Sequence, residues 1–186
     1  MTNYRKRLAL LKGNLPRAVV RKSLKNITVQ MISFNHVGDK VLVAADSKEL
    51  SKFGWKFGGG NLPGAYLTGY LLGLRAKEKT PKAILDLGLH VSSKGARVYA
   101  ALKGMLDAGL QIPMDAEVLP DQARVSGKHI VAYAARLQKE KKEKNTAEMQ
   151  FKGYVKEGLE LGKIEQYFTE TKEKIAKITK EAGEHG

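Results

Sequence analysis

The stretch AYLTGYLLGLRAKEK, Ala65 to Lys79, decides how this chain folds. Tyr66, Tyr70 and Leu74, with Leu67 and Leu71, recur at helical spacing, and the stretch closes on cations that suit the carbonyl end of a helix. Tyr66 and Tyr70 fall on the apolar face and read as core. Ala65, Gly69 and Gly73 recur every four residues, which gives the helix a flat stripe for close packing, expected to face a sheet. The same stretch holds the longest mainly apolar run, Ala65 to Leu74, which is too short to cross a bilayer. With no signal segment opening the chain, a soluble, intracellular protein without a membrane partner is expected.

A sheet for that helix is readable on either side. NITVQMISF (26–34) alternates Ile27, Val29 and Met31 against Thr28, Gln30 and Ile32, and KVLVAAD (40–46) sets Val41, Val43 and Ala45 on one side. Joined by NHVGD (35–39), the two runs predict an antiparallel hairpin. Its Thr28 and Gln30 face is either solvated or open to a polar partner. Downstream, KAILDLG (82–88) suits a buried strand. SSKGARVYAALKGMLDAGL (92–110) predicts a helix capped by Ser and aligning Val98, Leu102, Met105, Leu106 and Leu110. The fold class is α/β: a small mixed β-sheet packed with helices. Pro113 and Pro120 break the pattern. From Asp121 the chain reads as a charge-alternating helical extension packed on the core or on a partner. The expected divisions are a basic arm at 1–25, an α/β core at 26–120 and a helical extension at 121–186. There is no internal repeat.

Charge is concentrated at the front. The formal net charge is +14, with eight basic and no acidic side chains in residues 1–25. Residues 26–112 carry 11 basic and six acidic side chains, and residues 113–186 carry 14 and 13. An arm so one-sided, in a chain of pI near 9.8, implies an anionic partner. The 42% apolar and 7% aromatic content is that of a folded domain. Zero cysteines exclude disulfides, thiolate zinc sites and Cys nucleophiles.

Catalytic patterns are lacking. Gly58-Gly59-Gly60 is followed by Asn61-Leu62-Pro63, not by the Lys and Ser/Thr of a phosphate-binding loop, and no dinucleotide fingerprint surrounds it. The glycines are expected to let backbone approach another surface. His36, His90, His129 and His185 are scattered, and no G-x-S-x-G elbow occurs. Glu140, Glu143, Glu157 and Glu160 alternate with Lys as a solvated helix face would. Asp86, alone in an apolar strand, reads as a buried structural carboxylate. No enzyme, metal, cofactor or small-molecule substrate is expected.

Taken in order, YRKRLALLKGNLPRAVVRKS, FGWKFGGGNLPGAYLTGYLLGLRA, ILDLG, GARVYAALKGMLDAGLQIP and RVSGKHIVAY closely resemble the archaeal and eukaryotic branch of the large-subunit ribosomal protein L-eighteen family, called L-five in eukaryotes. The likeness runs from Asn3 to about Tyr167. It implies a non-catalytic protein of the central protuberance that binds 5S rRNA, touches 23S rRNA and neighbouring ribosomal proteins, and carries an extended N-terminal arm. A free-standing basic regulator of other nucleic acid is the alternative.

Phosphate neutralisation supplies affinity without sequence readout, whereas RNA specificity comes from shape, unstacked bases and 2′-hydroxyls. The expected RNA-binding residues in the arm are Asn3, Tyr4, Arg5, Lys6, Arg7, Lys12, Arg17, Arg21, Lys22, Ser23 and Lys25. Beyond it stand Asn26, Thr28 and Gln30 at the hairpin, and Trp55, Lys56, Gly58, Gly59, Gly60 and Asn61 in the glycine loop. Trp55 is either a plug beneath that loop or a base-stacking ring. The remaining candidates are His90, Ser92, Ser93, Lys94 and Arg97, where a helix start bearing hydroxyls and cations suits a backbone phosphate. A serine there can instead be only an N-cap.

Overall fold

A computed structural model describes residues 3–139, 151, 153–154 and 158–183. Met1, Thr2, Glu140, Glu143 and Glu157 lie outside the described residues. In chain order the elements are α1 (Tyr4–Leu11), β1 (Arg17–Lys22), β2 (Ile27–Ser33), β3 (Lys40–Asp46), a 3-10 turn (Ser47–Phe53) and α2 (Leu62–Ala76). They continue with β4 (Ile84–Asp86), α3 (Arg97–Asp107), α4 (Gln122–Val125), α5 (Lys128–Lys139) and α6 (Ile164–Gly183).

The sheet runs β3-β2-β1-β4, antiparallel except for the parallel pairing of β1 with β4. The β2–β3 hairpin forms where the alternation predicts it. Ile27, Val29 and Met31 are buried, and Thr28, Gln30 and Ile32 are half-exposed on the other face. A bulge between Met31 and Ile32 changes the register, so Val43 pairs with Met31 while Val41 pairs with Ile32 and is exposed. The expected single row of Val41, Val43 and Ala45 is corrected by that bulge, which adds one residue and turns the strand.

The front of the chain departs further from expectation. The sheet does not begin at the hairpin, and the arm is not extended: Tyr4–Leu11 is helical, and Arg17–Lys22 is a strand between β2 and β4. Ala18 and Val20 point into the core while Arg17, Val19 and Arg21 alternate with them. The period of two was present, but three cations in six residues disguised it as a charged arm.

Asn61 caps α2, its side chain accepting from the Gly64 amide at 2.7 Å, with Pro63 in the first turn where its missing N–H costs nothing. The helix lies on β2 and β3, and α3 lies against it and β1. The small-residue stripe faces α3, which corrects the expectation that it faces the sheet. A methyl group on Gly69 would overlap the Ala101 carbonyl, one on Gly73 would sit 2.5 Å from the Ala108 Cβ, and one on Gly104 would overlap the Tyr66 carbonyl. Only glycine permits backbones this close.

The C-terminal extension packs on the core. Ile164, Phe168, Thr171 and Ile175 of α6 are buried, against α2 and the 3-10 turn. Tyr66 ties three helices together: its hydroxyl donates to Asp107 Oδ2 at 2.6 Å and accepts from Lys172 Nζ at 2.7 Å. That ammonium also lies 5.1 and 5.2 Å from the Tyr66 and Tyr70 ring centres. Burial, then Asp107, push the Tyr66 hydroxyl far up in pKa, so it stays a donor. Tyr66 and Tyr70 are core residues, as their spacing predicts.

Gly69→Ala and Gly104→Ala should each cost about 1–3 kcal/mol or more through forced separation of α2 and α3. Gly38→Ala, where an added methyl meets nothing within 4 Å, should change stability by less than about 0.5 kcal/mol. Guanidinium unfolding midpoints measure all three.

Candidate nucleic-acid interface

The acid-free front of the sequence is partly neutralised by acids that arrive from elsewhere. Arg17 is 4% exposed and donates through Nη1 to Asp86 Oδ2 at 2.9 Å and through Nη2 to Asp39 Oδ2 at 2.6 Å. Asp39 also takes Arg7 at 2.9 Å, and Asp86 takes Arg21 at 3.3 Å. Arg17 is therefore withdrawn from the RNA-binding set: it is a buried structural cation. Asp86 is the structural carboxylate its apolar surroundings predicted. Arg7 and Arg21 are each half-committed, with Arg21 also donating to the Asp86 and Val20 carbonyls.

What remains is outward-facing. Arg5, Lys6, Lys12 and Lys25 are exposed and Lys22 is half-exposed, with no acidic partner among the described residues. Asn3 caps α1 by accepting from the Lys6 amide at 3.0 Å, and Tyr4 is 76% exposed beside these cations. No side chain of α1 is buried.

At the opposite end of β1, three distant stretches meet. The β1–β2 turn is closed by Ser23 and Asn26, each bonding the other. Gly60 presses on it so closely that an added methyl would lie 2.9 Å from the Leu24 carbonyl oxygen, and Gly59 presses on Ser47. The surface these glycines approach is thus the protein's own. Arg97 joins the pieces, its Nη1 donating to the Gly60 carbonyl at 2.8 Å and reaching the Ser23 carbonyl at 3.5 Å. His90 accepts from the Lys22 amide through Nε2 at 3.3 Å. Lys22, Lys25 and Arg97 are so brought together from separate segments, with His90 as an uncharged acceptor between them, and fixed alignment of cations is what a polyanion rewards.

Other expected contacts have internal duties. Trp55 is 4% exposed, packs on Phe57 at 5.4 Å between ring centres and donates to the Gly58 carbonyl, so it is the plug and not a stacking platform. The Gly58 amide donates to the Tyr154 hydroxyl, and Lys56 lies over the Tyr167 ring. Thr28 donates to Asp46 Oδ2 at 2.6 Å, while Gln30 stays half-exposed. Asn61 is occupied as a cap. The helix expected to start at Ser92 or Ser93 starts at Arg97, after Ala96 and without a side-chain cap. Gly95, with φ of +68°, breaks the run before it. Neither serine's side chain caps the helix: the Ser92 hydroxyl bonds that of Tyr99, and the Ser93 backbone carbonyl accepts from the Ala96 amide. Lys94 pairs with Glu117 at 2.6 Å. Among the described residues no cluster of His, Asp and Glu suited to a metal is found. No helix there is long and apolar enough to cross a membrane.

Leu24, Leu89 and Val91 went unread in the sequence. They project from this same end, and their only signal was aliphatic residues standing inside turns.

The family model described as "Ribosomal large subunit proteins 60S L5, and 50S L18" matches residues 2–81 and 74–115, and the chain belongs to that family. It is 48% identical over 179 residues to the large ribosomal subunit protein uL18 of Korarchaeum cryptofilum, covering 96% of this chain and 90% of the relative. The protein of the same description from Methanococcus maripaludis is 46% identical over 178 residues, covering 95% and 91%. The chain is a protein of the large ribosomal subunit, structural and not enzymatic.

Burial first, then Lys22, Arg21 and Arg97, hold His90 below the ordinary histidine value of 6.5. Burial and Arg124 do the same for His129. The folded state therefore resists protons that the unfolded chain takes up. Stability is whole above pH 6.5 and falls as pH drops from there toward the lowered values. Urea midpoints at pH 7.5 and 5.5 should show that fall, and His90→Gln should reduce its size.

Proposed function

We propose that this protein binds 5S rRNA and helps attach it to 23S rRNA in the central protuberance of the large subunit. The observation that carries this reading is the solvent-facing remainder of the front cations. Arg17 is consumed internally, while Arg5, Lys6, Lys12, Lys22 and Lys25 stay without acidic partners among the described residues. They fall at two ends of one strand, α1 before β1 and the turn after it, an arrangement suited to touching two RNA elements at once. Membership of the family supports RNA as the polyanion, and neighbouring ribosomal proteins as further partners. The working location is the ribosome.

Binding of a 5S transcript should fall steeply with salt, each phosphate contact contributing roughly 0.7 to 0.9 to the log–log slope. Deleting residues 1–13 should leave the core folded, because α1 buries no side chain, yet lower that slope by roughly two to three. Deleting residues 1–22 removes β1 and should abolish folding. A nearly flat salt dependence of the full chain, or no preference for 5S RNA over an unrelated RNA of equal length, would refute the reading.

A further inference from the structure

Leu24, Leu89 and Val91 are 87%, 60% and 80% exposed. All three belong to turns that are otherwise tightly held. Leu24 follows Ser23, whose carbonyl Arg97 reaches, and Leu89 and Val91 flank His90, which accepts from the Lys22 amide. Arg21 donates to the Asp86 carbonyl at 3.0 Å just before the second turn. Within that turn the His90 amide donates to the Leu87 carbonyl, and Gly95 donates to the Val118 carbonyl. Bonds from the His90 and Arg97 side chains to the backbone of the first turn thus hold the two turns side by side, and the three aliphatic tips stay out in water, where their burial is left for a partner to supply.

The surroundings identify that partner's chemistry. Residues 22–26 and 87–97 contain no Asp or Glu, and the cations Lys22, Lys25, Lys94 and Arg97 lie in the same two turns or at the helix start that follows, with His90 a neutral ring between them. The carboxylates at this end are already engaged: Asp86 Oδ1 accepts from the Gly88 amide at 2.8 Å and pairs with Arg21, and Glu117 is held by Lys94. The occupant must be anionic and must also offer apolar faces. A fully paired A-form duplex offers phosphates but keeps its base faces stacked inside, whereas unpaired nucleotides expose them. We propose that Leu24, Leu89 and Val91 form a recognition surface for unpaired nucleotides of RNA, packing on base and ribose faces while the cations around them take the phosphates. This rests on the RNA-binding reading above and adds the feature of the RNA that is read.

The test compares a 5S rRNA transcript with a fully paired RNA duplex of equal length, using the full chain and its Leu24→Ala, Leu89→Ala, Val91→Ala triple variant. The variant should bind the transcript roughly tenfold more weakly, since apolar contact with a base carries energies of that order. Duplex affinity, salt slope and melting temperature should stay unchanged because no charge and no core atom is lost. Leu24→Ala alone, at the most exposed tip, should already show part of the loss. Unchanged transcript affinity would overturn the proposal and assign the tips to a protein neighbour, and an equal loss on both probes would also overturn it. If the unmodified chain does not prefer the transcript to the duplex, the RNA reading itself fails and this inference goes with it.

Discussion

Arg17 sits between Asp39 and Asp86 with its guanidinium almost wholly out of water, and the arrangement of the front half of the protein follows from satisfying that charge. A buried cation without its partners costs several kcal/mol, so the β2–β3 loop must bring Asp39 in and β4 must bring Asp86 alongside β1. Through Asp39 the same requirement reaches Arg7 and positions α1, and through Asp86 it reaches Arg21. The internal acids thereby divide the front cations into those that build the fold and those left for a partner. Net charge alone conceals this division, because a buried paired Arg and an exposed free Lys contribute equally to +14.

A second constraint carries the sheet's order to the far end. Gly69 and Gly104 bring α2 and α3 into backbone contact, which places the first residue of α3, Arg97, within reach of the Gly60 and Ser23 carbonyls. Loops from three parts of the sequence become one surface without a disulfide. Protection of that surface from acid comes from what is absent in the two turns, and its rigidity comes from backbone carbonyls held by arginines.

Much of the fold was legible where a single period dominated. The β2–β3 hairpin, α2, β4 and the apolar face of α3 all follow alternation or helical spacing, and Asp86 was identifiable as a polar residue inside an apolar run. β1 was missed because the positions alternating with Ala18 and Val20 are two arginines and a valine, so the strand looked like an arm. The small-residue stripe of α2 was recognised but not its partner, since periodicity says which face is flat and not what meets it. Among candidate site residues, Trp55 and Asn61 took up local duties, the indole on the Gly58 carbonyl and the amide as the cap of α2. Ser92 met Tyr99 once the helix start was displaced to Arg97, whereas the bond from the Gly58 amide to Tyr154, 96 residues on, is one that local sequence does not encode. The exposed cations were readable, and the aliphatic tips beside them were not, because exposure of a Leu in a turn depends on what the rest of the fold fails to cover.

The claim that Arg17 belongs to the architecture and not to the RNA is tested most directly by urea unfolding of Asp86→Ala. Removing one partner of a buried ion pair leaves the other charge uncompensated, and the variant should lose about 3 kcal/mol or more. A variant as stable as the unmodified protein would contradict the account and return Arg17 to the set of residues free to meet RNA.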